Sequence, residues 1–308
     1  MIHANIPNYG RVFRLVVTDE AGSIDLSDLR VTFQIRHNMS NTPQRGIVRI
    51  YNITRGLADR FDRDSVRVTI VAGYENNYAI IFDGKTSFSS YGQTTGTDTY
   101  LDLALNESFE WLQNNHISRT FQAGATRDDV MTVIKQSLND ANVSTTDVGA
   151  LPRKTYRRAK VIYQRGATTA QNMAKEAYGH HGYFFIQHGN AMLSSFNKPV
   201  GAAPVKISQS TGMIGLPQVG SGAISVQVLL NPSLFVGRDV HLDLEDVNNP
   251  VTIAPAGSIG GGAFMPRSIL RRTHGIFRIA DLEFIGDSRG NEWYTNLTCM
   301  FIPTAYGT

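Results

Sequence analysis

Two stretches near the end of the chain constrain its fold more than any other: VQVLLNPSLFVGRDVHLDL (Val226–Leu244) and GIFRIADLEFIGDSRGNEWYTNLTC (Gly275–Cys299). Each reads as a strand, a glycine-marked turn and a second strand. Val240, Leu242 and Leu244 alternate with Asp239, His241 and Asp243, while Trp293, Leu297, Cys299 and Phe301 fall opposite Glu292, Tyr294, Asn296 and Thr298. Successive side chains of an extended chain point to opposite faces, so this period of two predicts half-buried antiparallel strands.

The same period recurs early. VRVTIVA (Val66–Ala72), RGIVRIYNI (Arg45–Ile53) and YLDLAL (Tyr100–Leu105) read as strands, the last with Leu101, Leu103 and Leu105 on one face. Gly73, Gly84 and the Gly92–Asp98 stretch read as turns between them. GLADRFDRD (Gly56–Asp64) predicts a helical turn or two. Residues 1–115 and 201–308 therefore each read as an antiparallel β-barrel or sandwich.

Residues 116–200 differ in character and contain an internal repeat. FQAGATRDDVMTVIKQSL (121–138) aligns with YQRGATTAQNMAKEAYG (163–179) at a constant offset: Phe121 with Tyr163, Gln122 with Gln164, Gly124, Ala125 and Thr126 with Gly166, Ala167 and Thr168, and Met131 with Met173. Thr126 with Asp129, and Thr168 with Gln171, have capping-box spacing, which predicts helix starts stabilised by about 1 kcal/mol each. Val130, Val133, Ile134 and Leu138 form one apolar stripe and Met173, Ala174 and Ala177 the other, with Gly179 as a stop. YFFIQHGNAMLSSF (Tyr183–Phe196) predicts a hairpin turning at His188-Gly189-Asn190. The middle segment is thus a small α+β unit, closed by the linker Asn197–Pro204. The Gly- and Pro-rich stretch Asn248–Pro266 reads as an exposed loop or an assembly contact.

Composition narrows the functional classes. The chain has 308 residues, long enough for two or three domains, with 42% hydrophobic and 18% charged residues. A net charge of +3 does not argue for nucleic-acid binding. The single cysteine, Cys299, faces inward and excludes an intrachain disulfide. No apolar h-region opens the chain, and no run of about 18 apolar residues predicts a membrane span.

The chemical motifs are weak. His180 and His181 adjoin at a helix end and point apart, and His188 sits in a hairpin turn, so a metal site is not expected. Glu107 and Glu110 lie near Trp111, and Asp128 and Asp129 open a helix. A glycosidase needs two carboxyls roughly 5 to 10 Å apart across a cleft, whereas Asp129 has a capping task and Asp128 suits a helix N-terminus. No G-x-S-x-G element occurs, and GSIGGGAF (Gly257–Phe264) lacks the lysine and the strand–helix context of a phosphate loop. The basic cluster PRKTYRRAK (Pro152–Lys160), with Tyr156, has the make-up of a nucleic-acid patch, but reads better as a solvated linker and strand start, or as an ionic contact with an acidic partner protein. Catalytic, cofactor and metal residues are therefore not assigned.

The loops carry a resemblance. The LLNPSLFVG turn (Leu229–Gly237), with Leu230, Asn231, Pro232 and Gly237, followed by GDSRGNEWYTNL (Gly286–Leu297), with Gly286, Asp287 and Trp293, resembles the C-terminal barrel of phage tail baseplate hub proteins of the late control protein D type. GMIGLPQ (Gly212–Gln218) in the last segment, RGIVRIYNIT (Arg45–Thr54) and IFDGKTSFSSYGQTTGTDTYLDLAL (Ile81–Leu105) in the first, and FQAGAT and YQRGAT in the middle are similar to the same family. The resemblance implies a β-rich α+β fold with two tail-tube-like antiparallel barrels flanking a small α+β domain. It implies a homotrimer whose six barrels form a pseudo-sixfold ring, akin to the base of type VI secretion spikes, with heterologous ring-closing interfaces that often exceed about 2,000 Å².

The implied location is the virion, in the tail baseplate. The implied partners are the tail tube protein, a spike or tail-tip protein, other baseplate proteins and a tape measure protein. DNA would pass through the lumen without tight binding. Without a lysozyme or spike segment after the last barrel, cell-wall cleavage and puncturing would belong to other chains. Three other readings compete. One is a glycan- or peptidoglycan-binding module that stacks sugars on Tyr183, Phe184 and Phe185, although alternation sends Phe184 to the opposite face. The second is a tail hydrolase. The third is a sixfold tube subunit, which usually has one barrel per chain.

Overall fold

The computed structural model describes residues 9–61, 66–94, 96–195, 199–201, 203–220, 223–242, 252–253 and 275–302. The expectations for Asp243 and Leu244, for Phe196 and Asn197, for the end of the Gly56–Asp64 stretch and for most of Asn248–Pro266, Gly257–Phe264 included, lie outside these residues.

The first β segment gives β1 (Arg11–Asp19), β2 (Gly22–Asp25), β3 (Val31–Asn38), β4 (Arg45–Tyr51), the helical turn α1 (Arg55–Ala58), β5 (Arg67–Tyr74), β6 (Asn77–Gln93) and β7 (Thr99–Asn106). The middle segment follows with α2 (Phe109–Asn114), β8 (His116–Phe121), α3 (Arg127–Asp140), β9 (Lys160–Arg165), α4 (Gly166–Tyr178), β10 (Tyr183–Gln187) and β11 (Asn190–Ser194). The last segment holds β12 (Val205–Ile207), β13 (Met213–Val219), β14 (Ala223–Leu229), β15 (Asp239–Leu242), β16 (Thr252–Ile253), β17 (Gly275–Asp287) and β18 (Trp293–Phe301). The protein is a β-rich α+β fold, as its periodicities predict.

Both β segments share one 14-stranded sheet, in the order β16-β13-β14-β18-β17-β3-β4-β7-β6-β5-β1-β2, with β15 also on β17 and β12 on β15. The join is β17 against β3, antiparallel from Asp281↔Asn38 to Asp287↔Thr32. The alternation read from sequence sets the burial. Val31, Phe33, Ile35 and His37 face inward on β3, Leu101, Leu103 and Leu105 on β7, and Trp293, Thr295, Leu297 and Cys299 on β18. The apolar ones among them belong to one core that runs through both β segments, with His37 and Thr295 buried as polar residues. A second core lies in the middle segment, from Trp111 to Leu193, and takes in Val130, Ile134 and Leu138 from α3 and Met173 and Ala174 from α4.

Three local expectations change. Gly73 and Gly84 are not turns: Gly73 lies inside β5, opposite Tyr78, and Gly84 lies inside β6, opposite Val68, where an added Cβ would sit 2.6 Å from the Asn106 carbonyl oxygen and 2.7 Å from the Phe82 ring. β6 is long because it passes from β5 to β7, with bulges near Val71 and Phe88 marking the transfer. β14 and β15, read as consecutive strands, do not pair with each other; β14 lies between β13 and β18, and β15 lies on β17. The third change separates the two repeat copies. Thr126 caps α3 with a full capping box to Asp129, but α4 starts two residues before Thr168, with Arg165 at its N-cap and no side-chain cap. Gln171 instead turns its amide to the hairpin, donating to the Gly182 carbonyl at 2.8 Å and accepting from the Phe184 N–H at 2.8 Å. The copies diverge because β9 runs directly into α4, whereas Gln122–Ala125 separate β8 from α3.

Candidate assembly surfaces and internal joints

The motif residues converge where the first and last β segments meet. Trp293 is almost wholly buried, donates its indole N–H to the Gly73 carbonyl at 3.3 Å and meets Phe33 and Phe13 edge-on at 5.6 and 6.4 Å. Phe13 and Phe33 stack on each other at 5.8 Å, and Arg11 lies over the indole. Gly286 is the β17 partner of Phe33, and a Cβ there would sit 2.3 Å from the Phe33 ring. Asp287 accepts from Arg30 at 2.7 Å and from the Arg289 N–H at 2.9 Å. Burial alone would raise its pKa, but these donors hold the carboxyl below the usual range.

The LLNP turn completes this joint. Leu230 and Pro232 are buried, and the Leu230 N–H donates to the Trp293 carbonyl at 3.2 Å. Asn231 accepts from Asn77 at 2.9 Å, and Ser233 donates to the Asn77 side chain at 3.0 Å. Gly237 has φ +84, a conformation that favours glycine. A Cβ there would press on Val200 at 2.9 Å and on Phe185 of the middle segment at 3.0 Å.

The hairpin β10–β11 joins the middle segment to the sheet. His188 and Gly189 both have positive φ, 53° and 70°, which suits a tight hairpin with Gln187 opposite Asn190. One face of the hairpin, with Phe184, Ile186, Ala191 and Leu193, enters the middle core; the other, with Phe185 and Met192, enters the sheet core. Phe184 and Phe185 are fully buried and Tyr183 is half-buried, so this aromatic run offers no open stacking surface.

The hairpin tip forms a buried polar seam that sequence reading missed. His188, expected only as a turn residue, packs edge-on against the fully buried His37 of β3 at 5.2 Å, and its Nε2 lies 3.3 Å from the Ile81 carbonyl. Glu107, after β7, accepts from the Gly189 N–H at 2.7 Å. Gln44 donates to the Ile186 carbonyl at 3.2 Å, and Gln187 accepts from the Val236 N–H at 3.1 Å. Both nitrogens of His37, Glu107 Oε2 and Gln187 Nε2 are buried without a partner. Burial drives the His37 pKa well below its ordinary value, with His188 opposing further charge, and brings His188 down to about 4. Burial pushes Glu107 up to about 8. The seam therefore favours neutral groups. Its signal in sequence was faint: one histidine at an inward position of β3 and one carboxylate at a strand end.

The remaining candidates separate. Glu110 is on the surface, paired with Lys85 at 2.9 Å, so Glu107 and Glu110 do not face each other across a cleft. Asp129 receives the Thr126 N–H and hydroxyl, and these hydrogen bonds lower its pKa. His180 and His181 are exposed at the end of α4, and no cluster of metal-binding side chains occurs among the described residues. Cys299 is fully buried, and burial pushes its thiol up to about 12. No helix among the described residues is long and apolar enough to cross a membrane.

The basic stretch is pinned rather than loose. Arg127 donates to the Pro152 carbonyl, its backbone N–H donates to the Lys154 carbonyl at 2.9 Å, and Tyr156 exchanges backbone hydrogen bonds with Gly124 and Ala125. Lys154, Lys160 at 3.2 Å and the Tyr156 hydroxyl at 3.0 Å all donate to Glu176 of α4. Beside them a groove of about 380 Å³ runs between β9, from Lys160 to Gln164, and Asn172, Met173 and Glu176 of α4.

The sequence matches no family model and no curated protein. The structure resembles solved structures. A tail protein from Neisseria meningitidis superposes with a TM-score of 0.56 at 10% identity, over 97% of this chain and 100% of that one. The fold is that of phage tail proteins. The 43 kDa tail protein of prophage MuSo2 from Shewanella oneidensis gives 0.57 at 9% identity, over 94% and 97% of the two chains. A type VI secretion component from E. coli, described as structurally similar to the T4 tail proteins gp27 and gp5, gives 0.57 at 12% identity over 91% of this chain and 75% of that one. At these identities the likeness is one of fold.

Proposed function

We propose that this chain is a structural subunit of a phage tail hub and not an enzyme. Residues 1–115 and 201–308 act as two tube-like barrel units, and residues 116–200 form the α+β unit set between them. Three copies close a ring of six barrel units that adapts a sixfold tail tube to a threefold spike or tip and surrounds the path of the DNA. Its neighbours are the tail tube protein, the spike or tip protein and other baseplate proteins, with the tape measure protein passing through. The virion tail baseplate is its place of work.

The observation that carries this reading is the pairing of β17 with β3 in a fold shared along nearly the whole chain with tail proteins. It supports two β units presented side by side in one sheet, as a trimer needs if it is to offer six similar units. Placement of Gly286 and Trp293 at the joint between those units supports a structural role for them. The test is absolute mass by light scattering, followed by electron-microscope class averages. The expected result is a mass near three times 34.0 kDa and a ring with sixfold outline. A chain that stays monomeric at all concentrations, and in the presence of tube and spike proteins, overturns the proposal.

A further inference from the structure

The middle segment carries a surface that the ring reading leaves without a task. Six arginines of the β segments are neutralised by aspartates: Arg30 by Asp287, Arg36 by Asp281, Arg49 by Asp102, Arg60 by Asp19, Arg67 by Asp83 and Arg278 by Asp239. Arg153, Arg157 and Arg158 are exposed and pair with no carboxylate among the described residues. The nearby Glu176 is fully engaged by Lys154, Lys160 and Tyr156, and these donors bring its pKa down although burial alone would raise it. It therefore cannot compensate the arginines.

Next to this unpaired charge lie two large apolar side chains turned outward, Tyr163 at 83% and Val161 at 71% exposure. Both are on β9, which pairs only with β8 among the described residues. The groove beside α4 is lined by five consecutive β9 residues, Lys160 to Gln164, as expected of a strand edge that has not been given a partner. Interface hot spots concentrate tyrosine and arginine around apolar anchors, and an open edge takes an extended segment through main-chain hydrogen bonds.

We propose that the β9 edge and the adjoining Arg153–Arg158 stretch form a docking surface for an extended, acidic segment of a protein partner. The segment lies along β9, seats an apolar side chain against Tyr163 and Val161, and places carboxylates over Arg153, Arg157 and Arg158. Protein is favoured over nucleic acid because the outward Val161 and Tyr163 suit apolar side chains, and because the two lysines are already spent on Glu176. The proposal rests on the tail reading only for the source of the partner, a neighbouring tail protein.

The test is fluorescence anisotropy with three labelled probes on the full chain: an alternating Glu-Val twelve-residue peptide, a peptide of equal charge in which prolines replace the valines, and a twelve-nucleotide oligodeoxythymidine. Variants are the triple Arg153→Glu, Arg157→Glu, Arg158→Glu, and Tyr163→Ser, all at exposed sites; unchanged melting temperatures confirm their folding. The alternating peptide is expected to bind best and to lose about tenfold in affinity in each variant. The proline peptide, which cannot donate along the edge, is expected to bind more weakly. No binding of the alternating peptide, or binding unchanged in the variants, overturns the proposal. Tighter binding of the oligonucleotide, insensitive to Tyr163→Ser, reassigns the surface to nucleic acid. Loss of the oligomer's mass in the triple variant makes the occupant a second copy of this chain, which also overturns it. Wild-type mass reads the hub proposal and the anisotropy reads this surface, so the two fail separately.

Discussion

The two internal joints are built on opposite principles. The joint between the β segments, around Trp293, is packed with aromatic rings, is continuous in its strand pairing and has its main polar groups satisfied. The seam at the hairpin tip holds two histidines, a carboxylic acid and a glutamine, several of whose polar atoms lack partners. At the first joint, loss of stability follows mainly the packing that is removed. The seam answers to protons, because an unpaired buried charge is costly. The β segments are therefore expected to unfold as one unit, with the middle segment attached by a joint of adjustable strength.

The largest effect is expected from Trp293→Ala. It should cost roughly 3–5 kcal/mol in urea unfolding and destabilise both β segments in a single transition. If only the last segment melted earlier, the two would not be one unit. Gly286→Ala places a Cβ against the Phe33 ring and should cost about 1–3 kcal/mol, with thermal melting as the check.

Glu107→Gln probes the seam. Glu107 keeps its proton in the fold up to about 8, against an ordinary 4.5 when unfolded. The stability this confers is complete below pH 4.5 and is lost as pH rises to about 8, with a slope of up to about 1.4 kcal/mol per unit. The glutamine still accepts from Gly189 but does not titrate, so melting curves from pH 5 to 9 should show a smaller alkaline loss than wild type. An unchanged pH profile would remove Glu107 from the account.

His188→Asn tests the other flank. His188 has a pKa of about 4 in the fold against an ordinary 6.5, so the stability it supports is complete above 6.5 and is lost as pH falls towards 4. Asparagine tolerates the positive φ of this turn and should flatten the acid-side loss. The smallest effect is expected from Asp281→Asn, which breaks an exposed cross-strand pair with Arg36 at the β3–β17 join and should cost about 0.2–1 kcal/mol, less in high salt. A larger loss would mean that the join depends on surface charge as well as its core.

Sequence and structure agree most where a feature is local. Alternation placed Leu101, Leu103, Leu105, Val240 and Leu242 inward, and Thr126 with Asp129 announced its cap, because both signals depend on neighbours within a few residues. Thr168 and Gln171 show the limit. They carry the same spacing, but the preceding strand runs straight into the helix and the hairpin claims Gln171, so tertiary contacts override a valid local signal. Gly84 was misread for a related reason: its absent side chain serves a close approach of Phe82 and the Asn106 carbonyl, not a turn. Of the motif residues, the sequence singled out Gly286, Asp287 and Trp293 but not their partners Phe13, Phe33 and Arg30, and it took Gly73 for a turn rather than for the acceptor of the Trp293 indole; all four lie more than two hundred positions away.

The strand and helix periods, the inward faces and the β-rich α+β class are legible in the chain because they follow from side-chain alternation and short-range capping, and the repeat is legible because its two copies align residue by residue. Only the tertiary structure decided that β3 pairs with β17 and so makes one sheet and one core of two distant segments. It alone brought His37, Glu107 and His188 together and, among the described residues, left β9 paired on one side only, beside arginines with no carboxylate partner. Those outcomes depend on which surfaces meet across long loops, and periodicity records which face of a strand is buried but not what buries it.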